Sequence, residues 1–244
     1  MVARKPSSPR LPLASVSAGK GSIREALLSF LFPPHCPHCH AYVEARGDWC
    51  PACLAEIAHF TVYPGFGSVA RACSFGAYRG GLRDLIRGLK YQRRESALPY
   101  IETVLQFVAE GEQRAMAADF LRPGILAVPV PLARARQKER GFNQAERIFS
   151  GWLAEHGIEM QAVLARTRET RPMYGLGRHA RRENLRGAFA LADGVAPGCI
   201  RGRRILLLDD ILTTGATLEA CAAVLHRAGA GEILGMVLAS DHAV

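Results

Sequence analysis

The stretch that most constrains this chain is residues 204–218, where a run of apolar residues is followed by two carboxylates and a turn of hydroxyls. Residues 205–208 are all apolar, which is typical of a strand buried on both faces inside a parallel sheet. Asp209 and Asp210 follow directly, and an Ala- and Leu-rich segment at 218–228 predicts a helix. The sequence therefore predicts an α/β fold whose mostly parallel sheet is flanked by helices.

The turn before this helix consists of Thr213, Thr214, Gly215, Ala216 and Thr217. Hydroxyls and a glycine at a helix N-terminus present free backbone N–H groups and the positive end of the helix dipole, which favour a phosphate. Ionised carboxylates accept hydrogen bonds only, so the preceding Asp pair suits two vicinal hydroxyls or a hard cation. Together they predict a site for a sugar phosphate with a free diol, at the carboxyl end of a strand.

Two other interpretations explain this stretch less well. An apolar strand with terminal carboxylates also occurs as the Walker B strand of ATPases, but that interpretation requires a Gly-x4-Gly-Lys-Ser/Thr loop, and the sequence has none. A buried strand with an ordinary polar turn would not require an Asp pair, three threonines and a glycine in this register. The ligand site is therefore the better interpretation.

Residues 206–217, Leu-Leu-Leu-Asp-Asp-Ile-Leu-Thr-Thr-Gly-Ala-Thr, resemble the 5-phosphoribosyl-1-pyrophosphate (PRPP) motif of type I phosphoribosyltransferases. The resemblance implies that Asp209 and Asp210 bind the ribose 2′- and 3′-hydroxyls and that residues 213–217 bind the 5′-phosphate. It also implies a type I phosphoribosyltransferase fold, with Mg²⁺ bound together with PRPP.

Two Cys-x2-Cys pairs separated by ten residues lie near the N-terminus: Cys36, Cys39, Cys50 and Cys53. Four thiolates with this spacing can bind one tetrahedral ion, which predicts a closed, structural zinc ribbon. An iron site of rubredoxin type has similar spacing and remains an alternative to zinc. A redox dithiol pair would be expected beside a βαβ pattern, which this segment lacks. The metal is expected to supply the folding free energy of so short a module. Three neighbouring histidines exceed the four ligands and are expected in solvated turns: His35, His38 and His40.

The 244 residues have a net charge of +9 and a pI near 9.5, which favours phosphates, nucleic acid or anionic lipid without distinguishing them. No apolar run approaches the ~20 residues of a spanning helix, so an integral membrane protein is not expected. Residues 1–22 are basic, rich in Pro and Ser and without an apolar core, which predicts a disordered tail, or alternatively an organellar transit peptide, rather than a signal peptide. We therefore expect a cytoplasmic protein with an amphipathic helix and zinc ribbon over residues 23–62 and the α/β domain over 63–244.

Apolar periodicity predicts further strands over 71–78, 125–130, 187–191 and 233–239, and helices over 82–91, 98–110 and 142–156. The helix over 82–91 is basic, and its charged residues, Lys90 among them, are placed on its outer face, where such a run is usually solvated. The strand over 125–130 runs into Val130, Pro131 and a basic segment, where a PRPP-binding fold is expected to place its pyrophosphate loop. A basic loop without a ligand is the alternative.

Residues 166–186 form a long stretch with seven arginines and little apolar periodicity, which predicts a loop. Type I phosphoribosyltransferases close a flexible loop over the pyrophosphate, and this stretch occupies the matching place before the PRPP motif. By that resemblance its arginines, Arg178 among them, would contact the pyrophosphate.

Several short motifs occur in a fixed order along residues 23–241. They are Leu-Phe-Pro-Pro (31–34), the two Cys pairs, Leu-Lys-Tyr (89–91), Val-Pro-Val-Pro (128–131), Arg-Gly-Phe-Asn-Gln (140–144), Arg-Glu-Asn (182–184), Gly-Ala-Phe (187–189) and the PRPP motif. In combination they resemble the ComF family, which is similar to amidophosphoribosyltransferases in its PRPP domain and is named after late competence proteins associated with uptake of transforming DNA.

The resemblance leaves two functional hypotheses. The first is a Mg²⁺-dependent phosphoribosyltransferase, although no stretch of the sequence identifies its acceptor. The second is a non-catalytic module for DNA uptake, which would bind single-stranded DNA through the basic surface, the Arg-rich stretch, Trp49 and Tyr42, and would work with a helicase-like competence ATPase. A purely structural zinc-ribbon adaptor would leave the PRPP motif unexplained.

Overall fold

The computed structural model describes residues 32–170 and 177–242, and of Arg178 and Pro197 it describes the backbone only. The predicted tail at 1–22 and the predicted helix that begins at residue 23 therefore lie outside the described residues. From Pro34 onward the chain forms one compact unit. The predicted division of the chain at residue 62 stays a prediction.

The main sheet has six strands in the order β1-β2-β8-β7-β3-β4. Every neighbouring pair is parallel except β1 and β2, which are antiparallel, and β5 and β6 form a separate antiparallel pair. The predicted α/β fold with a mostly parallel sheet is confirmed. The strands are β1 (Ala58–Phe66), β2 (Val69–Ala77), β3 (Leu126–Pro129), β4 (Glu159–Met160), β5 (Leu164–Arg166), β6 (Phe189–Leu191), β7 (Ile205–Leu212) and β8 (Ile233–Ser240).

Helices cover both faces of the sheet. Along β7, Leu206 and Leu208 belong to one buried apolar cluster, whereas Ile205 and Leu207 belong to the other. Because successive side chains of a strand point to opposite faces, burial on both faces explains the unbroken apolar run. The α-helices are α1 (Pro51–Ile57), α2 (Gly80–Gln92), α3 (Leu98–Glu110), α4 (Arg114–Ala118), α5 (Arg134–Arg140), α6 (Gln144–Glu155), α7 (Arg178–Leu185) and α8 (Ala216–Arg227).

Two segments that were predicted as loops are helical, so those predictions were wrong. Helix α5 buries none of its residues and ends at Gly141, whose φ of +84° is the left-handed conformation typical of a helix end. Helix α7 lies inside the Arg-rich stretch and is attached to α8 by an ion pair between Arg182 and Glu219, at 2.9 Å. Neither helix has an apolar stripe, so the periodicity of the sequence could not indicate them.

Residues 63–65, near which the α/β domain was predicted to begin, lie within β1. This strand is at the edge of the sheet, where Pro64 faces Arg71 of β2. An edge strand tolerates proline because the missing N–H would otherwise face solvent. The Cys-rich segment before β1 packs into the main core, where Val43 and Trp49 are buried in the same cluster as Phe75 of β2.

Candidate functional site

The carboxyl edge of the parallel sheet brings together the two main parts of the predicted site. Strand β7 carries Asp209 and Asp210, and its parallel neighbour β3 leads into Val130 and Pro131. The backbone N–H of Val130 donates to the carbonyl of Leu208 at 2.9 Å, so the predicted pyrophosphate loop lies beside the carboxylates. Parallel pairing produces this arrangement because the carboxyl ends of such strands share one edge.

Lys90 of α2 makes an ion pair with Asp210, with 2.8 Å between Nζ and Oδ2. The two side chains are only 17% and 13% exposed, so the placement of Lys90 on a solvated outer face was wrong. The sequence did contain a signal, because Lys90 follows the buried Ile86 by four residues and therefore lies on the same helical face. Lys90 is a residue of the site that the analysis of the sequence missed.

The environment of the Asp pair raises the pKa of Asp209 to about 7. Burial is the main cause and the neighbouring Asp210 adds to it, whereas Lys90 and Arg166 oppose the rise. Burial is the largest single influence on the pKa of Lys90 and lowers it, but the charge and hydrogen bond of Asp210, together with Asp209 and Tyr78, make the net direction upward. Near neutral pH Asp209 can therefore donate or accept a hydrogen bond, which suits a hydroxyl ligand.

The predicted turn does precede a helix, as expected for a phosphate site. Gly215 is the N-cap of α8 and has a φ of +75°, a conformation that favours glycine. A Cβ atom at this position would also lie only 2.8 Å from the ring of Phe66. The ring of Phe66 in β1 therefore lies against the turn, and Thr213 accepts a hydrogen bond from Nη1 of Arg181 at 2.9 Å.

A buried asparagine fixes the loop after β3. The side chain of Asn143 donates through Nδ2 to the carbonyl of Val130 at 2.9 Å, and its Oδ1 accepts from the N–H of Ala145 at 3.0 Å. The second bond caps α6, so one side chain ties the loop to the start of a helix. This accounts structurally for the Asn of the Arg-Gly-Phe-Asn-Gln motif.

The arginines of the Arg-rich stretch lie at several different places. Arg178 begins α7, but its side chain lies outside the described residues, so its contact with pyrophosphate stays a prediction. Arg181 contacts the turn, as described above. Arg166 ends β5, and its guanidinium lies over the ring of Phe189, 5.4 Å from the ring centroid. Burial and the neighbouring Arg136 lower the pKa of Arg166, whereas the charge of Asp209 opposes that shift.

The four cysteines converge as a metal site requires. Their Sγ atoms all lie within 4.8 Å of one another, and those of Cys39 and Cys50 are 3.6 Å apart. Bonds of about 2.3 Å to one tetrahedral Zn²⁺ place sulfur atoms roughly 3.8 Å apart, so these thiols fit zinc. The predicted four-cysteine zinc ribbon is confirmed.

Two aromatic or imidazole side chains near the cysteines differ from expectation. His38 is exposed, but it is not simply solvated: its Nδ1 accepts a hydrogen bond from the N–H of Gly81 at 3.2 Å and so caps α2. Trp49 is only 5% exposed, and its Nε1 donates to the carbonyl of Tyr100 at 2.9 Å. Trp49 is therefore part of the core and cannot stack on a nucleic-acid base, whereas Tyr42 is 68% exposed.

Among the residues that the structure describes, no helix combines the length and apolar character needed to cross a bilayer. A family model described as "Double zinc ribbon domain" matches residues 27–64. One solved structure, the allosteric regulatory enzyme of purine biosynthesis, superposes on 50% of this chain and 23% of its own with a TM-score of 0.32 and 20% identity. No conclusion about function follows from a structural similarity this low.

Sequence comparison identifies relatives over most of the chain. Competence protein F of Haemophilus influenzae is 29% identical over 203 residues, which cover 82% of each chain. An adenine phosphoribosyltransferase of Clavibacter michiganensis is 53% identical over 53 residues, 19% of this chain and 30% of the relative. DNA utilization protein YhgH of Salmonella typhimurium is 30% identical over 208 residues, which cover 81% of this chain and 86% of the relative. The chain therefore belongs to the family of competence protein F and DNA utilization protein YhgH, the ComF family that its motifs resemble.

Proposed function

We propose that the carboxyl edge of the sheet binds PRPP with Mg²⁺ and that the protein transfers the phosphoribosyl group to an acceptor. One observation supports this proposal most: the Asp pair, the N-terminal turn of α8 and the loop after β3 lie at the same edge of adjacent strands. A diol, a terminal phosphate and a pyrophosphate are the three recognisable parts of PRPP, and each has a matching group of donors or acceptors here. The local similarity to an adenine phosphoribosyltransferase is consistent with this chemistry.

The chain's own residues would bind and orient the substrate. Asp209 and Asp210 would accept hydrogen bonds from the ribose hydroxyls, while the backbone N–H groups of the turn would bind the 5′-phosphate. Lys90 must then release an oxygen of Asp210 to the diol. The backbone around Val130 and Pro131 would contact the pyrophosphate. The bond from C1 to pyrophosphate breaks through an oxocarbenium-like state, which requires charge stabilisation rather than a protein nucleophile.

The proposed cofactor is compatible with the same residues. Carboxylates and phosphate oxygens are the ligands that Mg²⁺ prefers, and Asp209 and Asp210 provide two carboxylates at the proposed diol site. When bound, Mg²⁺ would neutralise negative charge on the departing pyrophosphate.

Titration calorimetry of PRPP with Mg²⁺ into the zinc-loaded protein tests this proposal. We expect Asp210→Asn to weaken PRPP binding by about tenfold to a hundredfold, because a hydrogen bond to a charged acceptor contributes about 1.5–3 kcal/mol. Asp193→Asn, a change at an exposed carboxylate outside the site, should leave the affinity unchanged. Normal binding by Asp210→Asn would show that the diol site is assigned wrongly, and no binding by the unmodified protein would reject the proposal.

A second candidate function is the binding of single-stranded DNA, and one observation favours it. Tyr91 is 72% exposed, and the guanidinium of Arg140 lies over its ring at 5.5 Å. Helix α5, which ends at Arg140, has no buried residue and also carries Arg134, Arg136 and Lys138. An exposed aromatic ring among cations is typical of surfaces on which bases stack. The relatives of this chain include a competence protein and a DNA utilization protein. A helicase-like ATPase would be the expected partner in such a role.

Fluorescence anisotropy with a labelled oligothymidylate tests the second candidate. We expect affinity to fall steeply between about 50 and 200 mM salt, because phosphate contacts release counterions. Tyr91→Ala should weaken binding about fivefold or more, since stacking on one base contributes ~1–3 kcal/mol. Met116→Ala, another exposed apolar side chain, is the control. Equal affinities of the Tyr91 variant and the unmodified protein would exclude this surface.

A further inference from the structure

We infer that Lys90 is a built-in competitor at the Asp pair: its ammonium occupies Asp210 and must leave before a divalent cation or a sugar hydroxyl can bind there. The inference rests on the proposed function for the identity of the displacing ligand, PRPP with Mg²⁺. It adds that a free divalent cation is largely excluded from these carboxylates. The ion pair between Lys90 and Asp210 is the observation from which it starts.

The oxygens of the Asp pair are already engaged in part. Nζ of Lys90 lies 2.8 Å from Oδ2 of Asp210, and Oδ1 of Asp209 accepts a hydrogen bond from the backbone N–H of Asp210 at 2.9 Å. Each carboxylate therefore has one oxygen in use. A hard divalent cation takes several oxygen ligands, so it competes with Lys90 for Asp210 rather than joining it there.

The charge at this place favours a cation, and the chain supplies one itself. Two adjacent carboxylates that are shielded from water are unfavourable unless a cation neutralises them. The side chains of Lys90 and Asp210 are both largely buried. Within the part of the chain that the structure describes, neither carboxylate makes another ion pair. The ammonium of Lys90 therefore takes the place of the metal that the same carboxylates would bind.

Lys90 can leave Asp210 without a movement of helix α2. Ile86 and Leu89 are fully buried and hold the helix against the core. Residues 91–96, which follow Lys90, are all exposed. A lysine has a flexible four-carbon stem, so Nζ can turn toward solvent by rotation of the side chain alone. Displacement therefore breaks the ion pair and leaves the packing of the helix intact.

This competition determines which ligand can reach the carboxylates. A free divalent cation has to displace the ammonium without help from other contacts. A ligand that brings a diol together with a divalent cation supplies two hydroxyl donors and a replacement for the lost positive charge. We therefore expect PRPP with Mg²⁺ to displace Lys90, whereas the metal alone should bind weakly. Lys90 thus neutralises the carboxylates until the complete ligand arrives.

Titration of the zinc-loaded protein with Mn²⁺, followed by electron paramagnetic resonance, tests this competition in the absence of PRPP. Mn²⁺ takes the same carboxylate ligands as Mg²⁺. We expect Lys90→Met to bind Mn²⁺ about tenfold or more tightly than the unmodified protein, because no ammonium competes for Asp210. Lys138→Met, which removes an exposed lysine of α5, is the matched control and should leave the affinity unchanged.

The position of the metal is tested with the double variant Lys90→Met/Asp210→Asn, which should lose the gain in Mn²⁺ affinity. Thermal melting shows whether each variant folds. Equal Mn²⁺ affinities of Lys90→Met and the unmodified protein, or a gain that survives Asp210→Asn, would overturn the inference.

Amine labelling of the unmodified protein measures the release of Lys90 without any variant. An acetylating succinimidyl ester is applied, and the rates at Lys90 and at the exposed Lys138 are compared by peptide mass spectrometry. We expect PRPP with Mg²⁺ to accelerate acetylation of Lys90 about threefold or more relative to Lys138, because a lysine freed from its carboxylate loses the charge that keeps it protonated. Mg²⁺ alone should have no such effect.

The outcomes separate this inference from the proposed function. If calorimetry shows that PRPP binds while acetylation of Lys90 is unchanged, Lys90 is not displaced, and the inference fails while the proposed function stands. If PRPP does not bind, the proposed function fails, and the comparison of Mn²⁺ affinities still decides whether Lys90 competes for the carboxylates.

Discussion

Serine in place of Cys53 should abolish stoichiometric zinc binding and lower the melting temperature by about 10 °C or more. The four thiols supply all ligands of the predicted tetrahedral site, and a serine hydroxyl is a poor substitute for a thiolate. The effect should extend beyond the ribbon, because Trp49 and Val43 are buried in the same cluster as residues of the central sheet.

Loss of zinc should also affect α2 directly. His38 lies between two of the cysteine ligands and caps the first turn of α2 through Gly81. A Cβ atom on Gly81 would lie 2.9 Å from the carbonyl oxygen of Pro37, so the knuckle packs closely on the start of this helix. Without metal the knuckle loses its geometry, and α2, whose other end contains Lys90, loses a cap worth about 1 kcal/mol.

Metal analysis and thermal melting measure these effects, with and without a chelator. Cys199→Ser is the matched control, because Cys199 is only partly exposed and lies outside the four-cysteine cluster. We expect that variant to keep one zinc per chain and a nearly unchanged melting temperature. A Cys53→Ser protein that melts like the control would show that the core, rather than the metal, stabilises the ribbon.

The parts of the fold that sequence predicted best are those with a strong local pattern. Burial on both faces imposes an apolar run on β7, and the turn before α8 requires glycine at position 215, where φ is +75°. The four thiols of the metal site likewise come from two Cys-x2-Cys pairs. In each case one physical constraint acts on consecutive residues, so the sequence alone contains it.

The parts that the sequence did not predict depend on contacts between distant residues. Helix α7 is stabilised by Arg182 and Glu219, which are 37 positions apart, and has almost no apolar face. Lys90 and Asp210 meet only after β2, α2 and β7 have assembled. A charged residue on a helix is usually solvated, so only its four-residue spacing from Ile86 distinguished Lys90 from its neighbours.

Replacing Lys90 with methionine should destabilise the protein by about 2 kcal/mol near neutral pH. Methionine keeps much of the apolar length of the side chain but removes the cation, so Asp210 remains poorly solvated beside a second carboxylate. Breaking a buried pair by removing one partner costs about 3–5 kcal/mol, and the partial exposure of both groups reduces that figure. Lys138→Met on the exposed helix α5 is the control for loss of charge alone.

The pH dependence of this loss follows from Asp209. Its pKa in the folded protein, about 7, is above its ordinary value of 3.8, so the folded state binds more protons and stability falls as pH rises through this range. Lys90 lowers the pKa of Asp209, and its removal should raise that pKa further. The fall in stability should therefore extend to higher pH. As a result, Lys90→Met should lower the free energy of unfolding more at about pH 8 than at about pH 5.5. Melting curves at the two values measure the difference, and a cost independent of pH would contradict the coupling.

The double variant Lys90→Met/Asp210→Asn separates the ion pair from packing. If the charge left on Asp210 causes the instability, neutralising that charge should recover most of the lost stability, although the ion pair itself is gone. If the double variant is instead as unstable as the sum of the two single changes, the loss comes from packing of the Lys90 stem along α2. Recovery would mean that Lys90 neutralises a carboxylate pair that is costly to bury. The carboxylates then remain at the edge of the sheet because the proposed sugar ligand requires them there, rather than because they stabilise the fold.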